Sequence, residues 1–200
     1  MCHDILNNAK FYQHLFQIDQ AIAAEVRAGG CVHCGGVLHS ACYPRKPRGV
    51  RTALDASYWI RLSFCCARDG CRRRNTPPSM RFLGRKVYLG IIVILVSALK
   101  HGLPGSSRDW LVEHLDLWPQ TMGRWRQWWR DSFVVSRCWR EARGRFVPPV
   151  NIDDLPGVLL GRLRGRDLCH RLCLLLRLLA PITTTSWTGF LRVAIDPQKM

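Results

Sequence analysis

Two pairs of closely spaced cysteines constrain this chain more than any other feature. Cys31-Val32-His33-Cys34-Gly35-Gly36 has the two-residue spacing that lets paired thiolates grip one side of a tetrahedral ion, with glycines freeing backbone amides to approach the sulfurs. A hairpin's length of chain later comes Cys65-Cys66-Ala67-Arg68-Asp69-Gly70-Cys71, in which Cys66 and Cys71 form a slightly wider second pair. Two such knuckles around a β-hairpin have the layout of a zinc ribbon. Four thiolates close the coordination sphere and leave no position for water. The spacing therefore predicts one structural Zn2+ held by Cys31, Cys34, Cys66 and Cys71, with no catalysis at the metal. The second pair leaves alternatives open: Cys65 competes with Cys66, and Cys42, His33 and His39 are within reach of a local site.

This reading needs reduced thiols. The chain has 10 cysteines, enough for a disulfide framework in a secreted protein. Its first ten residues, however, show no basic segment leading into an apolar run, so no secretion signal is expected. A cytoplasmic, nucleoid-associated location follows as the expectation, and in that compartment clustered cysteines are more often ligands than half-cystines. Residues 87–99 and 168–180 are apolar, but both fall short of the roughly 20 residues that cross a bilayer, and the second stretch carries Arg171 and Arg177. Both read as buried helices, and no membrane association is expected.

Charge narrows the partner. The formal net charge is +16, and 25 of the 30 basic residues are Arg. Arg presents a planar fork that fits phosphate and guanine edges, so an Arg-heavy basic chain points to nucleic acid. Arg72-Arg73-Arg74-Asn75-Thr76-Pro77-Pro78, directly after the second knuckle, reads as a basic loop pinned by prolines and suited to phosphates.

The expected fold class is mostly α with a small β zinc ribbon: a lead-in helix (1–30), the ribbon (31–80), a helical bundle containing a helix-turn-helix (81–145), and C-terminal helices with a tail (146–200). Phe11, Leu15, Ile18, Ile22 and Val26 recur at helical spacing in the first segment. Residues 57–64 alternate like a strand. Phe146-Val147-Pro148-Pro149 reads as a linker before helices at 155–163 and 167–179, the second of which offers Leu172, Leu175, Leu176 and Leu179 to a partner.

Residues 106–115 read as a short helix with a Ser cap, and Asp116-Leu117-Trp118 as a turn into a second helix begun by Pro119. This is the order of a DNA-reading pair. At about 100° per residue, Met122, Trp125 and Trp129 fall on one face and pack inward. Gln120, Arg124 and Gln127 point the other way, with side chains suited to adenine and guanine edges. Thr121 joins this group, and Arg126 and Arg130 flank it for phosphate. Trp128 lies off the buried face.

With these residues in hand, the chain resembles a group of bacterial transposon-associated proteins that combine a zinc ribbon with a helix-turn-helix. The resemblance rests on Cys31-x2-Cys34, on Phe64-Cys65-Cys66 through Cys71-Arg72 to Thr76-Pro77-Pro78, on the stretch from Arg81 to Tyr88, and on Thr121 to Trp129. It spans residues 31–130. What it implies is recognition of an element's terminal double-stranded DNA, with a transposase or recombinase subunit as a further partner. The alternatives are a non-catalytic subunit of a transposase complex and a zinc-stabilised module for RNA or protein.

No enzyme is expected here. A transposase nuclease needs three carboxylates on a mixed sheet to hold two metal ions. The C-terminal half offers Asp131, Glu141, Asp153, Asp154, Asp167 and Asp196 on helical or loop patterns. Cys138, Cys169 and Cys173 sit in apolar helical patterns, and Cys169 and His170 project about 100° apart, so no Cys/His dyad follows.

Overall fold

The computed structural model describes residues 2–49, 53–84, 88–98, 113–115 and 117–185. A short helix α1 (Cys2–Leu6) leads into the long helix α2 (Ala9–Gly29). Asn8 starts α2 by accepting the Phe11 amide at 3.0 Å, which satisfies a donor the helix cannot pair itself. Phe11, Leu15, Ile22 and Val26 share a buried face, as their spacing predicts, and Ile18 packs half-buried at its edge.

Asp19 lies on that same buried face, only 1% exposed. Its partner explains this: Arg81, equally buried, donates from Nε to Asp19 Oδ2 at 2.8 Å. Ser79 Oγ donates to the same oxygen at 2.6 Å, and the Met80 amide donates to Oδ1 at 2.5 Å. Arg81 donates onward to the carbonyls of Tyr58 and Ile60 and lies over the rings of Phe16, Tyr58 and Phe82. One ion pair thus joins α2 to two distant segments, with its donors and acceptors matched inside the core.

The β part is small. Strands β1 (Leu38–Ser40), β4 (Phe64–Cys66) and β5 (Arg74–Asn75) form an antiparallel sheet in the order β1-β4-β5, and β2 (Tyr43–Pro44) pairs with β3 (Ile60–Arg61). The single strand expected over 57–64 is corrected. The Asp55 carboxylate accepts the Ser57 amide at 2.8 Å and starts a 3-10 turn over Ala56–Trp59, so only β3 and the start of β4 remain extended. Arg61, the second residue of β3, turns inward to reach the Pro77 carbonyl.

The rest is helical. In α3 (Gly90–Ala98) every residue from Gly90 to Ser97 is buried, as the continuous apolar run predicts. It packs against α4 (Pro119–Gln127), α6 (Gly157–Arg162) and α7 (Leu168–Leu179). Ser136 caps a further short helix, α5 (Arg137–Ala142), whose local signal is too brief for periodicity to reveal. Leu172, Leu175, Leu176 and Leu179 of α7 do not face a partner, because they fill the chain's own core beside α3. That core runs from Ile5 to Ala180. The chain is mostly helical with a small β part. Among the described residues no helix is long and apolar enough to cross a membrane.

Candidate functional site

The sheet register decides which of two adjacent cysteines faces inward. Leu38 stands opposite Cys66 and Phe64 opposite Asn75, while Cys65 stands opposite His39 and Arg74. Successive strand residues point to opposite faces, so Cys66 joins Leu38 and Phe64 inside, and Cys65 and His39 share the outer face. Cys65 Sγ accordingly meets the Arg72 carbonyl at 3.3 Å. The inner face rests on the last turns of α2 through Ala23 and Val26, in a second apolar cluster with Cys31, Leu38, Phe64 and Cys66.

Two tight turns bring the other three thiols there. In the first, the Gly35 amide donates to the Cys31 carbonyl at 2.7 Å, and Gly35 has φ +70°, a conformation that favours glycine. Gly36 serves close approach: a Cβ there would lie 3.1 Å from Cys66 Sγ and 3.3 Å from Cys34 Sγ. In the second turn the amides of Cys71 and Arg72 both donate to the Arg68 carbonyl, at 3.1 and 3.2 Å.

The sulfurs of Cys31, Cys34, Cys66 and Cys71 lie within 4.8 Å of one another. Cys31 to Cys71 is 3.8 Å and Cys34 to Cys66 is 3.5 Å. A disulfide would need about 2.05 Å, so these are free thiols. Tetrahedral thiolates about 2.3 Å from an ion stand about 3.8 Å apart, so the four are spaced as ligands of one metal. Among the described residues, neither Cys42 nor Cys65, His33 or His39 belongs to the cluster.

Asn75 is the residue that cysteine spacing does not reveal. Buried on the inner face, it accepts the Val32 amide on Oδ1 at 3.1 Å and donates from Nδ2 to Cys31 Sγ at 3.5 Å and to the Arg73 carbonyl at 3.2 Å. It holds the first knuckle to β5 and offers a proton to one of the four clustered sulfurs, the kind of contact that would tune a metal held there. The signal available in the sequence was an amide residue at strand parity with Cys66 one strand away.

The thiols are unequal. The His33 amide, helped by Asn75 and the Cys34 amide, holds Cys31 down to about 6 against the effect of burial. At Cys66 the Arg68 amide lowers the pKa, but burial and the neighbouring sulfurs outweigh it and push the thiol to about 12. Cys71 is raised as well: the Arg73 amide acts downward and is overcome by Cys34, burial and Cys31. Four thiolates at this spacing repel one another unless a cation sits among them. A cation must therefore displace protons from at least Cys66 and Cys71 near pH 7. We expect its apparent affinity to tighten at least about 100-fold per pH unit across neutrality, about tenfold for each proton released. Competition against a chromophoric chelator at several pH values measures this, and a pH-independent affinity contradicts it.

The residues expected to touch DNA fall in two places. On α4, Gln120, Arg124 and Gln127 are exposed, as is Arg130 just beyond, while Thr121 and Arg126 are half-buried. Met122, Trp125 and Trp129 are buried on the opposite side, with Trp125 edge-on to Tyr88 at 5.1 Å. Pro119 takes the first helical position, and the exposed Trp118 caps with its carbonyl, which accepts the Thr121 amide at 2.9 Å. After Gln127 the helix widens into a π turn, Trp128–Phe133, in which half-buried Trp128 packs edge-on to Trp129. Of the helix expected before this one, residues 113–115 are helical and 106–112 lie outside the described residues.

Arg72, Arg73 and Arg74 are all exposed, but they do not form a free loop. Arg72 pairs with Asp69 at 2.5 Å, Arg73 donates toward His33 Nδ1 at 3.3 Å, and Arg74, in β5, donates to the Ala41 carbonyl at 3.0 Å. Pro77 and Pro78 are buried, not loop pins. Arg74 pairs with Cys65 in β5, and the three guanidiniums engage different neighbours. Elsewhere, Cys138 is buried, its thiol donates to the Leu178 carbonyl at 2.8 Å, and burial pushes its pKa up to about 11.

Comparison with family models, with curated proteins and with solved structures gives no match for this chain.

Proposed function

We propose that this chain is a sequence-specific DNA-binding protein of a mobile genetic element, acting as an accessory or regulatory factor or as the DNA-recognition part of a transposase. In this reading α4 is the recognition helix of a helix-turn-helix, and the β part is a zinc ribbon. Cys31, Cys34, Cys66 and Cys71 hold one structural Zn2+, which supplies a crosslink between two turns that share only a small apolar cluster.

The polarity of α4 carries the reading. Gln120, Arg124 and Gln127 span about 60° of the helix at about 100° per residue, and all three are exposed, while the opposite side is anchored by Met122, Trp125 and Trp129. Two glutamines and an arginine on one short, rigid helix face are base-edge readers rather than a solvated surface of mixed charge. The +16 net charge supplies the non-specific attraction that brings such a helix to the groove.

A gel shift against DNA flanking the chain's own gene tests the reading. The expected result is a retarded band that weakens steeply with salt. Absence of binding, or binding insensitive to salt, overturns it.

A further inference from the structure

The arginines of the C-terminal part are not used by α4, and two loops collect them. One is the 3-10 turn Arg143–Arg145 after α5, and the other is the 163–167 loop between α6 and α7. Arg162, the last residue of α6, ties the start of the second loop to the segment just past the first, donating to the Val147 carbonyl at 3.3 Å and to the Pro148 carbonyl at 3.4 Å.

Arg143, Arg145, Arg164 and Arg166 on these loops are exposed, and among the described residues none has an ion-pair partner. The acidic side chains of these segments make other contacts. Glu141 holds Arg137 at 2.6 Å, Asp167 caps the His170 amide at 2.8 Å, and Asp154 accepts from Asn151 at 3.0 Å, with Asp153 on the same short turn.

The loops are seated on the helices beneath them. A Cβ on Gly165 would meet Arg171 Cγ at 2.7 Å and its amide nitrogen at 3.0 Å, so the backbone between Arg164 and Arg166 lies directly on the start of α7. The Arg166 amide donates to His170 Nδ1 at 3.4 Å, and Phe146 stacks on Trp139 to hold the first loop. Four exposed guanidiniums without an ion-pair partner, carried on a seated backbone, offer a polyanion charge-assisted hydrogen bonds. No Lys occurs between Lys100 and Lys199, so the positive charge here is all of the forked kind that pairs with phosphate oxygens.

We propose that these two loops form a second DNA contact, gripping the phosphate backbone of duplex DNA without regard to sequence. This rests on the DNA-binding reading of α4 and extends it: one surface reads bases and the other clamps the backbone.

The test uses the full chain with Arg143, Arg145, Arg164 and Arg166 all replaced by Gln, and again by Lys. Binding to a random-sequence duplex is followed by fluorescence anisotropy. Each phosphate contact adds about 0.9 to the salt slope, so between about 50 and about 200 mM salt the native chain should lose about 100-fold more affinity than the Gln variant. The Lys variant should keep most of the native slope, which separates loss of charge from loss of fold. A Gln variant with native affinity and salt dependence overturns this inference and leaves the α4 reading standing. A native chain that binds no duplex overturns both. If the four substitutions weaken binding to an RNA hairpin and leave duplex DNA untouched, the surface belongs to RNA and the proposal fails.

Discussion

Replacing Cys31 and Cys34 together with Ser is expected to abolish metal binding and unfold the β part of the chain. The apolar cluster behind the four thiols is small, with Ala23, Val26, Leu38 and Phe64 as its members besides Cys31 and Cys66. A core of that size contributes only a few kcal/mol at about 25 cal/mol per Å2 of buried apolar surface. Binding of a structural Zn2+ by thiolates is worth about 10–16 kcal/mol near neutral pH, so a zinc ion held by these four thiols would dominate the local balance. Elemental analysis should find one zinc per native chain and none in the variant. Amide exchange should show protection lost over residues 31–75 and retained in α3 and α7. Treating the native protein with a strong chelator should reproduce that pattern without any substitution. A variant that keeps native protection through 31–75 contradicts the role given to these thiols.

The second large effect concerns Asp19 and Arg81. Arg81→Met is expected to destabilise the chain by about 3–5 kcal/mol, because it leaves the Asp19 carboxylate buried without its cation and strands the carbonyls of Tyr58 and Ile60. The double substitution Asp19→Leu with Arg81→Met should recover much of that loss, since removing both charges removes the uncompensated one. Denaturant titrations of the two single variants and the double variant form a cycle that isolates the pair. If Arg81→Met costs under about 1 kcal/mol, the pair does not hold α2 to the rest.

Cysteine spacing and apolar periodicity made much of this structure legible. The four thiols come together because their spacing encodes tight turns, and the buried face of α2 follows its 3-4 pattern because each contact there is local to one helix. Three features were hidden for a shared reason. Asp19 is buried by a residue far along the chain, Asn75 meets Cys31 only across a strand pairing, and Cys65 is turned outward by sheet register. Each depends on a long-range partner, which periodicity does not encode. The strand expected over 57–64 failed for the opposite reason: a local Asx turn at Asp55 outweighed the alternation. The leucines of α7 face α3, which shows that an apolar stripe announces burial and does not say against what.

Base reading by α4 is open to direct measurement. Selection from a random duplex pool, run in parallel with native chain and with Gln120→Ala, Arg124→Ala and Gln127→Ala combined, tests it most directly. The native chain should enrich one defined sequence, and the triple variant should still retain DNA but enrich none. Indiscriminate retention by the native chain, or recovery of the same sequence by the triple variant, would contradict it.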